Sequence, residues 1–244
     1  MIGVFDSGIG GVTVLAQLLK VLPSEDFLYY SDTKNLPYGE KSYDELIKIC
    51  DQVVSFLINK GAKIIVIACN TASAVCKDYL RSKYDVPIVA IEPAIKIVYD
   101  NAKEDKTMVM ATPATINSPK FKELYNKYDN KKTILVSCPG LASLIEEGNH
   151  EKIINYLKGI KQNNVKNVVL GCTHYPLIKD YIREVFGDVS FFDGGYGVSL
   201  RVKSLLEEKN LLSNSKNKGS IKFIDSNNDE NKKELFFKYL NSWR

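Results

Sequence analysis

The sequence predicts an α/β protein built of two similar αβ halves, with mostly parallel sheets related by a pseudo-twofold and a cleft between them. Three observations carry that reading. Short β-branched or aromatic runs alternate with amphipathic helical stretches along the whole chain, the pattern of parallel strands covered on both faces. The segment Lys63-Ile-Ile-Val-Ile-Ala-Cys69-Asn-Thr is echoed by Lys166-Asn-Val-Val-Leu-Gly-Cys172-Thr-His, an offset of 103 residues (172 − 69). A strand closing at Asp6-Ser7-Gly8 has a counterpart closing at Thr112-Pro113-Ala114, an offset of 106 (112 − 6). Two near-equal offsets suggest internal duplication. The expected units are residues 1–92 with 208–244, and residues 93–207.

The elements follow in order. Strand Ile2–Phe5 runs into a glycine-rich turn and then Val12–Leu22, where Val12, Leu15, Leu18, Leu19 and Leu22 recur at helical spacing and face a core. Phe27–Ser31 is a second strand, and Tyr43–Asn59 an amphipathic helix. Strand Lys63–Ala68 leads to Cys69, after which Asn70-Thr71 read as the N-terminal cap of a helix over Ala72–Arg81. Strand Ile88–Ile91 and helix Ala94–Ala102 follow, then strands Thr107–Ala111 and Thr133–Ser137. Helix Ile153–Lys161 precedes strand Asn167–Gly171, and Pro176 suits the first turn of the next helix. Strand Val189–Phe192 and helix Val198–Asn210 come next. The hydrophilic Ser213–Gly219 reads as a loop before a last strand, Ile221–Asp225, and a last helix packed on one half.

Composition excludes several functions. No apolar run approaches the roughly 20 residues that span a bilayer. The chain opens directly into Ile2-Gly3-Val4-Phe5 with no basic leader, so a cytoplasmic protein is expected, without membrane association. The net charge is only +4, and no basic stripe with interleaved aromatics suggests nucleic acid; Lys216–Lys222 reads as a solvated loop. Five cysteines, an odd number with no CxxC pair, speak against a disulfide framework and a zinc site. Cys172 and His174 offer two ligands, but no second pair has ligand spacing, so no metal is expected.

The chemistry-bearing residues stand at strand ends. In open α/β sheets ligands bind beyond the carboxyl ends of the strands, where Asp6, Cys69, Thr112, Cys172 and Asp193 fall. With the halves face to face, Cys69 and Cys172 approach one cleft from opposite sides. A thiol at the start of a helix feels the positive end of its dipole and backbone N–H donors, which favour thiolate. The plainer alternative is a buried cysteine acting as a small hydrophobe. His174, two residues past Cys172, can exchange a proton with a ligand or polarise the site; taken alone, such a histidine is more often a hydrogen-bonded structural residue.

The loop Asp6-Ser7-Gly8-Ile9-Gly10-Gly11 fails the dinucleotide fingerprint, because Thr13 takes the third glycine's place, and it lacks a Walker lysine. Its amides can cradle a carboxylate, and Asp6 can act as a base or influence a thiol. Alternatively, Asp6 only caps the helix. Leu36-Pro37-Tyr38-Gly39 can present a phenol or amides, and Thr112 and Thr115 offer two hydroxyls. Glu146 and Glu147 precede Gly148 at a helix end, where solvent exposure is the ordinary reading.

Together, Phe5-Asp-Ser-Gly-Ile-Gly-Gly11, Pro37-Tyr-Gly39, Ala68-Cys-Asn-Thr-Ala-Ser-Ala74, Glu92-Pro-Ala94, Ala111-Thr-Pro-Ala-Thr115 and Gly171-Cys-Thr-His-Tyr-Pro176 resemble the bacterial glutamate racemases in order and spacing, from residue 1 to about 210. The resemblance implies a cofactor-independent, two-base racemisation of glutamate, with neither pyridoxal phosphate nor metal. One thiolate removes the α-proton while the opposite thiol protonates the other face. By similarity, Cys69 acts on the D-enantiomer with help from Asp6, and Cys172 on the L-enantiomer with help from His174 and Glu146. The substrate-binding set carried over is Asp6, Ser7, Pro37, Tyr38, Gly39, Asn70, Thr71, Thr112, Thr115, Thr173 and His174. A homodimer and supply of D-glutamate for peptidoglycan are implied as well. Fixed dipoles that stabilise the carbanion act most strongly in a dry cleft, so closure over substrate is expected.

Some positions depart from the family pattern. Cys138-Pro-Gly-Leu-Ala lacks an aromatic residue usual after the Cys-Pro, and Asp193-Gly-Gly replaces a later Asp-Ser-Gly. Ile224-Asp-Ser stands where Thr-Gly-Asp is common. Relatives with an N-terminal extension are activated by a cell-wall precursor; this chain starts at its first strand, and no such control is expected. The alternatives are a racemase of aspartate or another amino acid, or an inactive amino-acid-binding paralogue. The second motif of aspartate racemases resembles Cys-Thr-Glu, whereas this chain has Cys172-Thr-His. Binding alone has no use for two opposed thiols.

Overall fold

Strands form where β-branched and aromatic residues run together. The computed structural model describes residues 1–129 and 131–243; Asn130 and Arg244, which fall within the two expected units, lie outside the described residues. The strands are β1 (Ile2–Asp6), β2 (Phe27–Ser31), β3 (Ile64–Ile67), β4 (Ile88–Ala90), β5 (Thr107–Ala111), β6 (Thr133–Ser137), β7 (Asn167–Gly171), β8 (Ser190–Phe192) and β9 (Ile221–Asp225). They make two parallel sheets, ordered β4-β3-β1-β2-β9 and β6-β5-β7-β8. The central strands β1, β3, β5 and β7 are buried at every residue, as continuous apolar runs covered on both faces must be.

The α-helices of the described residues are α1 (Val12–Val21), α2 (Tyr43–Asn59), α3 (Asn70–Lys83), α4 (Ile95–Ala102), α5 (Pro113–Asn117), α6 (Pro119–Tyr128), α7 (Leu141–Glu147), α8 (His150–Gly159), α9 (Lys179–Phe186), α10 (Gly195–Glu208) and α11 (Glu230–Trp243). Caps place several of them: Ser42, Thr112 and Asn149 each accept a backbone N–H of the first turn of α2, α5 and α8. One start differs from expectation. Asn70 and Thr71 are the first helical residues of α3, and Cys69 itself is the N-cap, because its extended backbone (ψ 121°) makes the turn out of β3. Asn149 and Gly194 likewise start α8 and α10 three residues earlier than periodicity suggests. Pro176 lies in a short 3-10 turn, Tyr175–Ile178, that leads into α9.

The last strand joins the first sheet, with β9 pairing alongside β2 in the register Phe27↔Ile221 to Ser31↔Asp225. Helix α11 then seats Phe236 against Tyr29 and Phe223, ring centroids 4.5 Å apart in both cases. A buried aromatic side chain of this kind contributes about 2–3 kcal/mol. Helix α10, all but its last residue within the 93–207 span, packs on α1 and buries Val198, Val202 and Leu206 in the core of the first sheet. The carboxyl ends of β1 and β3 face those of β5 and β7 across a shared cavity.

Candidate active site

The cavity is small, about 30 Å³, and lies where the carboxyl ends of the two sheets meet. Ser7, Leu36–Glu40 and Cys69–Thr71 line it from the first sheet. Thr112, Pro113, Cys138–Gly140, Ala142, Ser143 and Cys172–His174 line it from the second. Both strand-end thiols reach its wall, Cys69 5% and Cys172 8% exposed. Both sulfurs are therefore largely shielded from bulk water.

Hydrogen bonds stitch the halves together beside the cavity. Asp6 Oδ2 accepts from the Gly11 amide at 2.9 Å, and both Asp6 oxygens lie 3.2 Å from the donating Thr173 hydroxyl. The Thr13 hydroxyl donates to the Thr173 carbonyl at 3.2 Å, and the Ile9 amide to Glu146 Oε1 at 3.0 Å. The first loop comes this close only because it is glycine-rich. A Cβ on Gly10 would overlap the His174 ring, and one on Gly8 would overlap Glu146 Oε1.

Each sulfur has its own acid–base surroundings. His174 Nδ1 lies 3.8 Å from Cys172 Sγ, while Nε2 lies 2.8 Å from Glu146 Oε1. Glu146 sits in the last turn of α7 with its carboxylate turned inward, 4% exposed, contrary to the ordinary reading of its position. Its second oxygen, Oε2, takes the ammonium of Lys232 from α11. Burial pushes Glu146 up, but the His174 hydrogen bond and charge and the Lys232 ammonium outweigh it and hold the carboxyl at about 2. Burial likewise pushes His174 down, but hydrogen bonds and charges from Cys172 and Glu146 hold it well above the usual imidazole value. The imidazolium then donates at both nitrogens.

The Cys69 side is the reverse. Burial drives the Cys69 thiol well above its ordinary range, and the nearby charge of Asp6 pushes the same way. The amides of Ala72 and Thr71 pull downward, as the helix start predicts, yet do not prevail. The thiolate-favouring balance expected from the sequence is thus outweighed by desolvation. Burial also raises Asp6, against the pull of His174 and the Gly11 amide. Cys138, a third thiol on the wall, is pushed up by burial to about 12, outside working range at neutral pH.

The other sequence-predicted residues divide between wall and support. The Tyr38 phenol donates to Asp32 Oδ2 at 2.6 Å, so its hydroxyl is engaged within the first half while Pro37, Tyr38 and Gly39 border the cavity. Thr71 and Thr112 meet across the halves, hydroxyl to hydroxyl at 2.9 Å. Thr115, fully buried, stands behind them, 3.0 Å from Thr112, and lines a smaller neighbouring cavity instead. Asp6 and Glu146 also sit outside the wall, each touching a wall residue. Asn70 is 3% exposed, and neither its Oδ1 nor its Nδ2 has a partner. Buried polar atoms are ordinarily hydrogen-bonded, so these two stand out on the cavity wall. Asp193 instead holds the start of α10 by accepting from the Gly195 amide at 3.0 Å.

Sequence reasoning passed over Ser143 as a wall residue and Lys232 as a neighbour of Glu146. The motif departure at Cys138-Pro-Gly marked that wall. Nothing local marked Lys232. Among the described residues, no three His, Cys, Asp or Glu side chains gather as a metal site. No helix among them is long and apolar enough to cross a membrane.

Comparison with known proteins gives consistent results. The model of a family described as Asp/Glu/Hydantoin racemase matches residues 7–196. A protein of Clostridium botulinum named glutamate racemase is 42% identical over 248 residues, covering 98% of this chain and 96% of the relative. A crystal structure of glutamate racemase from Francisella tularensis in complex with D-glutamate superposes with a TM-score of 0.83 at 34% identity. That match covers 98% of this chain and 93% of the other. A glutamate racemase isoform from Bacillus anthracis gives a TM-score of 0.87 at 28% identity, covering 99% and 94%.

Proposed function

Because the chain belongs to the Asp/Glu/hydantoin racemase family, we propose that it interconverts L- and D-glutamate, using two opposed cysteines as the acid and the base. The observation that carries this reading is the pair of thiols, Cys69 and Cys172, delivered to one cavity from two different sheets. Racemisation takes a proton from one face of a carbon and returns one to the other, and a group on each face does this without turning the substrate over.

In the L-to-D direction, Cys172 thiolate takes the α-proton and the Cys69 thiol protonates the opposite face; the reverse reaction exchanges their roles. The imidazolium of His174 steadies the Cys172 thiolate, and Asp6 assists Cys69. The raised Cys69 value suits its role as proton donor. A free thiol, with a pKa near ~8.5, is a weak base for an α-carbon. The carbanion must therefore be stabilised by fixed donors in a dry cleft. Asn70 supports this with its free amide, and Ser7, Thr71, Thr112 and Thr173 with neighbouring hydroxyls. Pro37–Gly39 borders the same space, while Thr115 braces Thr112.

Glutamate is favoured over aspartate by the histidine of Cys172-Thr-His and by the names of the relatives above. A cytoplasmic homodimer, supplying D-glutamate for peptidoglycan, completes the reading. The test is proton NMR of L-glutamate and L-aspartate in D2O with purified protein and no added cofactor. Loss of the glutamate α-proton signal with D-glutamate appearing is expected. Loss from aspartate instead would reassign the substrate, and loss from neither would leave a binding protein. Cys69→Ala and Cys172→Ala should each abolish racemisation; substantial turnover in either would sink the two-base assignment.

A further inference from the structure

Glu146 divides its carboxylate between two duties. Oε1 accepts from the Ile9 amide at 3.0 Å and from His174 Nε2 at 2.8 Å, while Oε2 is held by Lys232. Glu146 belongs to the second half, but Lys232 is delivered from the first, on a helix that begins just past β9. The start of that helix is fixed by Asp225, which accepts the Thr33 hydroxyl at 2.6 Å and the Asp229 amide at 3.2 Å, and by Asp229, which accepts the Lys232 amide at 3.3 Å. Lys232 is not needed as a pin for α11, because Phe236 and Leu240 already bury that helix in the first core.

We propose that Lys232 is a positioning residue for the Glu146–His174 pair, setting how firmly Glu146 holds the His174 imidazole beside Cys172. The inference rests on the racemase reading of the site. An ammonium at Oε2 draws carboxylate charge away from Oε1 and weakens the bond that Oε1 accepts from Nε2. Without it, a nearly buried carboxylate would grip the imidazolium proton harder, and His174 would give up that proton less readily. Lys232 is 23% exposed, so its charge is partly screened and its influence is graded. The other titratable groups around the pair are Asp6 from β1, Cys172 from the end of β7, the Tyr29 phenol from β2 and the Tyr239 phenol from α11. None of these is a cation. Lys232 therefore supplies the positive charge that offsets Glu146 from the side away from His174.

The chain has only two histidines, and His150 lies exposed near Glu184, so 15N-histidine labelling isolates His174 cleanly. The experiment compares wild type, Lys232→Met and Lys232→Arg by the His174 Nε2-bound proton resonance and by the pH profile of kcat for L-glutamate. In Lys232→Met the resonance moves downfield and the alkaline limb moves to higher pH by on the order of one unit. With about half of that shift expressed in rate, kcat falls roughly threefold while KM stays nearly unchanged. Lys232→Arg restores all three. An unmoved resonance and limb, whatever happens to kcat, would reduce Lys232 to a structural contact and overturn the proposal. Failure of wild type to exchange the α-proton would sink the racemase reading instead, and the resonance alone would then decide whether Lys232 governs the pair.

Discussion

His174 Nε2 lies 2.8 Å from Glu146 Oε1, with the two side chains 1% and 4% exposed. A charge-assisted bond so far from water is strong, and it orients the imidazole that faces Cys172.

Glu146→Gln keeps an acceptor for Nε2 but removes the charge. His174 should then lose its proton at lower pH, and the alkaline limb of the L-to-D profile should move down. We expect kcat to fall by roughly one to two orders of magnitude, less than removal of either thiol. Steady-state rates from pH 5 to 10 check this; a profile unchanged from wild type would detach Glu146 from the chemistry.

The same pair makes stability depend on pH. Glu146 is depressed from 4.5 to about 2, so its contribution is whole above about 4.5 and is lost as the pH falls through about 2. That shift corresponds to about 3 kcal/mol. His174 is raised, so its contribution is whole below about 6.5 and fades as the pH climbs through its elevated folded value. Urea unfolding at intervals from pH 2 to 9 should show the pair contributing most between 4.5 and 6.5. In Glu146→Gln the acid side of that curve should flatten.

Asn70 offers a contrast between binding and stability. Its side chain makes no internal hydrogen bond, and each buried orphan costs about 1–3 kcal/mol. Asn70→Leu should therefore raise the thermal midpoint of the free protein or leave it unchanged. It should raise KM for glutamate by more than tenfold, since the substrate loses those partners. Calorimetry and initial rates on one preparation test both halves of the statement, and a destabilised variant with normal KM would refute it.

Gly10→Ala tests the close approach of the first loop. Its methyl would fall on the His174 ring, so either the loop or the imidazole must shift. A displacement on the order of 1 Å at a catalytic group costs about 100-fold in rate. The Nδ1–Cys172 contact should lengthen in a crystal structure of the variant, with kcat falling accordingly.

How far the sequence revealed this molecule depended on the range of each interaction. The strands were legible because β-branched and aromatic runs end abruptly in polar turns, as at Ala68-Cys69-Asn70 and Gly171-Cys172-Thr173. The start of α3 was misplaced by two residues, since Asn and Thr are better known as caps than Cys. Glu146 looked solvent-exposed because its partners, Ile9, His174 and Lys232, are 137, 28 and 86 residues away. The packing of α10 on α1 was equally hidden, because an amphipathic stripe declares that it is buried but not against what.

The contacts that cross the cleft have a consequence for timing. Asp6 with Thr173, Thr13 with Thr173, and Ile9 with Glu146 join opposite halves, so any parting of the halves wide enough to release an amino acid must break them. Those same contacts orient the groups around both sulfurs. On the two-thiol reading, departure of the product should loosen that arrangement, and the next arrival should restore it. The groups around the sulfurs would then be in place only while the halves are together, and reforming those contacts would become part of each turnover.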